Sequence, residues 1–265
     1  MKKTFLSLLL GAGVCLSAQA QFLYDQDVTP DVIFGSGNDD GGFTINDDAS
    51  TTGIEVGLRA KLRFNDSGSP ENTFNSNGDG SYTFSPGAAV GGATWVSSTT
   101  PVWNFDWSVN TDTTGLTGAK IGDYTYELSM DFDPGPGTGL TLDFDPITPT
   151  VSTPFFDHAF GTATTGNGAG SVAGDQADYN TFLATKNVVQ NSWNYEFFND
   201  SPFDIFDPNV AGTYTIGLGV FDGSAQVAYS EIDVSVIPEP GTVGAIGLLG
   251  LVGFLYWRKR KAAQA

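Results

Sequence analysis

The chain has 265 residues, thirty of them Asp or Glu against eleven Lys or Arg, and a formal net charge of −19. Six of the basic residues sit in clusters at the two ends, so five face thirty acids across the rest of the chain, which excludes a phosphate-binding surface and nucleic acid as a partner. The single cysteine, Cys15, lies near the N-terminus and there is one histidine, so disulfide staples, thiol chemistry and multi-histidine zinc sites are excluded from the remainder.

In chain order, Lys2 and Lys3 precede a short apolar stretch over residues 5–16 and the small-x-small triplet Ala18-Gln19-Ala20. This is a secretory signal peptide over 1–20, with the mature chain beginning at Gln21. Residues 21–236 form the exported part. Asp far outnumbers Glu there, and Gly, Asn, Ser and Thr are abundant. These residues favour turns over helices, so the composition predicts an all-β fold with long Gly/Asp loops.

The clearest strand covers 54–64. Ile54, Val56, Leu58, Ala60, Leu62 and Phe64 alternate with Glu55, Gly57, Arg59, Lys61 and Arg63, which puts the first set on a core face and the second in solvent. Trp103, Phe105, Trp107 and Val109 alternate with polar neighbours in the same way. A strand over 124–132 turns Tyr124, Tyr126, Leu128, Met130 and Phe132 to one face and Asp123, Thr125, Glu127, Ser129 and Asp131 to the other. Its outward acids are expected beside the outward bases of 54–64, with both strands in one sheet. Further strands are expected over 140–144, over 189–197 with Val189, Trp193, Tyr195 and Phe197 on one face, over 214–220, and over 232–236. Asp222-Gly223-Ser224 supplies a hairpin turn before the last of these. Residues 175–186 suit a short helix. Long loops fall at 35–42, 67–80 and 161–174, the last being either a domain boundary or an insertion in one domain. Many short strands with Gly, Pro and Asp turns read as a β-sandwich of jelly-roll or immunoglobulin-like type.

The C-terminus is built differently. Ile237-Pro238-Glu239-Pro240-Gly241 leads into an uncharged apolar stretch over 242–257 and then Arg258-Lys259-Arg260-Lys261. The apolar stretch reads as a transmembrane helix of about 24 Å, with Tyr256 and Trp257 at the interface and the basic cluster on the cytoplasmic side. Signal peptide, Pro238-Glu239-Pro240, one apolar helix and a basic end in this order resemble the PEP-CTERM sorting signal over 237–261. Ile237 stands where that pattern usually has Val. Segments such as 72–80, 103–107 and 190–193 also look like those of other PEP-CTERM exported proteins. The resemblance implies secretion, an exosortase-type sorting enzyme as partner, transient inner-membrane anchoring and processing near the motif. It further implies a place at the cell surface or in the matrix, with exopolysaccharide as a partner.

Within the exported part, Asp131-Phe132-Asp133-Pro134 and Asp143-Phe144-Asp145-Pro146 form a small repeat. If the copies pair as a hairpin with Asp131 opposite Asp143, a cation is needed between them. Ca²⁺, which takes six to eight oxygens, is the fitting cofactor. The simpler reading is a solvated acidic face with Asp-Pro turns. Asn38, Asp39, Asp40, Asp47 and Asp48 form a second acidic group whose spacing matches no EF-hand. Trp103, Phe105 and Trp107 either stack a sugar ring as an exposed platform or fill the core. His158 has no serine elbow or second histidine to work with and reads as a loop residue without chemistry. No catalytic constellation emerges. The leading reading is a non-enzymatic exported β-sandwich of the surface or matrix. Its rival is a carbohydrate-binding module, calcium-assisted or not, and a glycoside hydrolase or lyase ranks third.

Overall fold

Alternating apolar side chains line the facing sides of two β-sheets in the computed structural model, which describes residues 21–35, 41–46, 48–90, 96–135, 140, 142–148, 157–198 and 206–238. The strands are β1 (Phe22–Gln26), β2 (Phe43–Asn46), β3 (Glu55–Phe64), β4 (Pro70–Phe74), β5 (Ser81–Phe84), β6 (Trp103–Asn110), β7 (Thr125–Met130), β8 (Leu142–Phe144), β9 (Ala159–Gly161), β10 (Val188–Trp193), β11 (Gly212–Asp222) and β12 (Ala225–Val236). The first sheet runs β1-β2-β3-β6-β10-β9, with β4 also paired to β3, and the second runs β5-β12-β11-β7-β8. These pairings are antiparallel except β5 with β12.

The inner faces follow the predicted alternation. Val56, Leu58 and Ala60 of β3, the three aromatics of β6, Leu128 and Met130 of β7, and Ile216, Leu218 and Val220 of β11 are all buried in one shared core. Much of that core is aromatic: Trp103 packs against Phe84, Tyr195, Phe206 and Tyr214, and Trp193 against Trp107, Phe105, Phe144 and Phe198. Each fully buried aromatic of this kind contributes roughly 1.5–3 kcal/mol. The hairpin at Gly223 closes β11 on β12 as expected, with Asp222 paired to Ala225. The helix over Gln176–Thr185 is capped by Asp175, whose carboxylate accepts from the amides of Ala177 and Asp178. The strand expected over 189–197 ends at Trp193 and turns into a 3₁₀ segment over Tyr195–Phe198, which leaves Phe197 exposed.

Two expectations fail, for related reasons. Strands β3 and β7 lie in different sheets, so the outward bases and acids never meet. Nor does the polar face of β3 look into solvent: Glu55, Arg59 and Lys61 are 4%, 0% and 1% exposed, and Asn104, Asp106, Ser108 and Asn110 of β6 are buried with them. An irregular N-terminal strap covers this face. Its Val28, Val32, Ile33 and Phe34 form a second apolar cluster with Phe43, Ile45, Ala159 and Val188.

An irregular segment has unpaired backbone groups that need partners once buried, and the outward polar side chains of the first sheet supply them. The Thr29 amide and hydroxyl donate to the Glu55 carboxylate at 2.6 and 3.0 Å, and Asn110 donates to the Thr29 carbonyl at 2.8 Å. Gln190 accepts from the Ile33 amide and donates to the Asp31 carbonyl, each at 2.8 Å. The loop over 161–174 docks on the same strap, its Gly168 and Gly170 amides donating to Val32 and Ile33 carbonyls at 2.9 Å. Close approach explains Gly57 in β3: a Cβ there would meet Val28 Cγ1 at 2.9 Å and Phe43 Cδ1 at 3.2 Å.

Candidate functional site

Beneath the strap, β3 and β6 are in register with Arg59 opposite Asp106. Asp106 Oδ2 sits 2.7 Å from Arg59 Nε and 3.0 Å from Lys61 Nζ, with all three side chains almost wholly inaccessible. The Arg59 guanidinium is held between the rings of Phe43 and Phe74 at 4.3 and 4.4 Å, and donates to the Gly41 carbonyl. Lys61 lies 5.4 Å from the Phe34 ring. Asn104 and Ser192 continue the polar cluster through a hydrogen bond of their own. Burial alone would raise the Asp106 pKa, but the Lys61 and Arg59 charges and the Ser192 hydroxyl hold it below the usual carboxylate range. Burial lowers Lys61, and the Asp106 charge offsets this only in part. Glu55, desolvated by the strap and only partly compensated by its bonds to Thr29, is raised to about 7. Buried ion clusters of this kind fix geometry more surely than they add stability. Here the cluster consumes two of the five bases between the terminal clusters.

The residues singled out from the sequence fall elsewhere. Trp103, Phe105 and Trp107 are at most 1% exposed and face the core, so a sugar ring could not reach them without unpacking both sheets. His158 lies in the loop directly before β9, where it is buried, 2% exposed, packed edge-on to Trp107 at 5.2 Å, with Nε2 2.7 Å from the Pro146 carbonyl. In the Asp-Phe-Asp-Pro repeat, β7 and β8 do pair, but in a register that sets Asp143 against Ser129 rather than Asp131. Asp131 accepts from the Asp133 amide and Asp133 from the Gly135 amide, at 2.9 and 3.0 Å. Asp145 accepts from Ile147 and Thr148 amides at 2.8 Å. These carboxylates cap turns, and among the described residues no three acidic, His or Cys side chains gather to hold a metal. Of the second acidic group, Asn38, Asp39, Asp40 and Asp47 lie outside the described residues.

The outward side of the second sheet was not singled out in the sequence. It carries the half-buried aromatics Phe221 and Tyr229, with Glu127, Glu231 and Asp233 around them. The signal there is glycine: Gly217 and Gly219 stand mid-strand, where glycine commonly marks a close approach.

The last functional element is the end of β12. Val236 is paired to Gly212 on one side and Phe84 on the other, and the Ile237 amide still donates to the Phe84 carbonyl at 2.9 Å. Ile237 is then 51% exposed, and Pro238 is exposed as well. The rest of the motif (Glu239, Pro240), the apolar stretch read as a membrane helix and the basic cluster Arg258, Lys259, Arg260 and Lys261 lie outside the described residues, as does the stretch over 1–20 read as a signal peptide. Among the described residues no helix is long and apolar enough to cross a membrane.

Comparison with known proteins bears on this end of the chain. Residues 236–261 match the family model of the PEP-CTERM protein-sorting motif, which takes in the final residue of β12. No curated protein and no solved structure matches the chain.

Proposed function

From a chain that carries a PEP-CTERM sorting signal, and so is exported, anchored in the membrane in transit and handled by an exosortase-type enzyme, we propose a non-enzymatic β-sandwich protein of the cell surface or extracellular matrix. The observation that carries this reading is the junction at Val236. Among the described residues every strand of both sheets precedes it, the last strand is hydrogen-bonded to its final residue, and the motif begins in the exposed Ile237-Pro238 pair. Cleavage within the motif, beyond Ile237, therefore leaves the pairing and core of the described strands in place. The N-terminal leader is equally dispensable, since β1 starts one residue after Gln21.

The buried titratable groups support a structural rather than catalytic role. Glu55 holds the strap, Asp106 is paired with both Arg59 and Lys61, and His158 packs among aromatic rings with Nε2 bonded to a carbonyl. Each is engaged by the fold and screened from a substrate. The strong excess of acid on the exported part keeps it soluble and suits it to cations and hydrated polymers. The test is fractionation of producing cells into inner membrane, washed outer surface, matrix extract and medium. The protein is expected in the surface and matrix fractions. Retention of all of it in the inner membrane would overturn the reading.

A further inference from the structure

The outward side of the second sheet has an organisation that a solvated face does not need. Along β11 the outward positions run Thr215, Gly217, Gly219 and Phe221, and along β12 they run Tyr229, Glu231 and Asp233. The register places Gly219 between Glu127 of β7 and Tyr229 of β12, and Gly217 between Ser129 and Glu231. The Tyr229 ring lies over Gly217: a Cβ there would stand 3.0 Å from Cζ and 3.1 Å from Cε2. The Phe221 ring lies over Gly219 in the same way, at 2.9 Å from Cε2.

Two glycines in the middle of a strand cost stability and gain no side-chain packing. What they provide is a floor on which two aromatic rings rest against backbone with their other sides toward solvent. Both rings remain partly exposed. Phe22 of β1 extends the aromatic surface, 6.2 Å from Tyr229 between ring centres.

The charge around the rings is one-sided. Tyr229 donates to Glu231 Oε2 at 2.6 Å, and the Glu127 and Asp233 carboxylates lie close enough to act on its phenol. Burial raises that phenol's pKa first, and the Glu231 bond and the neighbouring negative charges raise it further. Glu127 and Asp233 are exposed. None of β5, β7, β8, β11 or β12 contains Lys or Arg, so no cation of the sheet itself neutralises these acids.

We propose that this face is a binding platform for a cationic amino-sugar polymer, the pyranose rings stacking on Tyr229 and Phe221 and the ammonium groups pairing with Glu127, Glu231 and Asp233. Partly exposed aromatic rings resting on glycine backbone offer an apolar surface to a pyranose. An ammonium group beside them gains from the ring quadrupoles and the carboxylates together. A cationic peptide fits less well. The outer edge of the sheet at β5, where an extended peptide would add a strand, is already closed by residues 75–77, through Thr83 to Asn75 and Asn77 to Ser81 backbone bonds. Each contact is partly solvated, so a single sugar binds weakly and a polymer gains by repetition. This inference deepens the surface-and-matrix reading and rests on it for where the polymer is met.

The experiment uses the full chain purified in detergent, titrated at mildly acidic pH with a deacetylated glucosamine oligomer, its N-acetylated counterpart and poly-lysine. Saturable binding of the deacetylated oligomer is expected, at least several-fold tighter than either control and weakened by salt. Tyr229→Ala should weaken it about tenfold, the loss expected for a partly desolvated ring contact to a cation. Because Tyr229 also packs on the sheet, Glu127→Gln is the companion variant. It is exposed, and it should weaken binding with an unchanged melting temperature. Equal binding of the acetylated oligomer, poly-lysine binding as tight as that of the amino sugar, or wild-type binding by Glu127→Gln and Tyr229→Ala would each overturn the proposal. Failure here with the protein still in the matrix fraction removes the platform alone. Binding here with all protein in the inner membrane removes the matrix reading alone.

Discussion

Replacing Asp106 with Asn is the sharpest perturbation of the covered sheet. The change keeps the shape of the side chain and removes the one carboxylate that Arg59 and Lys61 share at 2.7 and 3.0 Å. Arg59 cannot lose its proton, and it is clamped between Phe43 and Phe74 with no route to water. Breaking a buried pair by removing one partner costs about 3–5 kcal/mol, because the remaining charge is left desolvated. Against a typical total of 5–15 kcal/mol, that is a large fraction of the protein's stability.

Lys61 provides an internal check. Its pKa is already lowered by burial, and loss of the Asp106 charge lowers it further. A lysine with a depressed folded-state pKa binds fewer protons folded than unfolded, so the variant's stability should rise with pH above that folded value, toward the unfolded lysine range. The assay is urea unfolding followed by tryptophan fluorescence at neutral and alkaline pH. The expected result is a loss of about 3–5 kcal/mol at neutral pH that partly recovers as the buffer becomes alkaline. A loss under about 1 kcal/mol with no pH dependence is the signature of a surface pair and would refute the buried cluster. The combined replacement Arg59→Met, Lys61→Met and Asp106→Leu should cost far less than Asp106→Asn alone.

Glu55 makes a prediction of opposite sign. Its pKa is raised by burial from 4.5 to about 7, so the folded state holds its proton more tightly than the unfolded chain. That stabilisation is complete below about 4.5 and is lost as pH rises through about 7, a difference of roughly 3 kcal/mol. In Glu55→Gln the fall in stability over this range should disappear, and an unaltered slope would rule out Glu55 as its source. Trp103→Ala should cost about 3–5 kcal/mol by leaving a cavity among Phe84, Tyr195, Phe206 and Tyr214. A stable variant that had lost only sugar binding would return Trp103 to the role of an exposed platform.

Period-two alternation made the inner faces legible. The side chains that share a face with Val56 in β3, with Trp107 in β6 and with Ile216 in β11 are those found in the core. Alternation says which side chains share a face but not what covers the second one. Glu55, Arg59 and Lys61 therefore read as solvated, although Glu55 is the anchor of the strap and Arg59 and Lys61 are the cations of a buried cluster. The available hint was the unassigned apolar stretch Val28, Val32, Ile33 and Phe34, which follows no strand period. Charge complementarity misassigned β7, because exposed opposite charges are too weak to choose a pairing partner that core packing has already fixed. In the Asp-Phe-Asp-Pro repeat the carboxylates of Asp131, Asp133 and Asp145 accept from turn amides, while Asp143 lies exposed in β8. Of the two readings of Trp103, Phe105 and Trp107, core and platform, the structure shows the core, as alternating aromatics on a strand favour. The half-buried rings Tyr229 and Phe221 come one each from neighbouring strands, and the glycines beneath them are what distinguish their face.

We hold that the β-sandwich ends at Val236 and is handed over at the sorting motif directly beyond it. The most direct measurement is the intact mass and C-terminal sequence of the protein recovered from cells with and without the exosortase-type enzyme. With the enzyme, the product should begin at Gln21, end at or just after the motif, lack the apolar stretch and basic cluster, and melt at the same temperature as the full chain. Without it, the chain should keep its C-terminus and stay in the inner membrane. A C-terminus inside β12, or an identical full-length membrane-bound product in both strains, would contradict the claim.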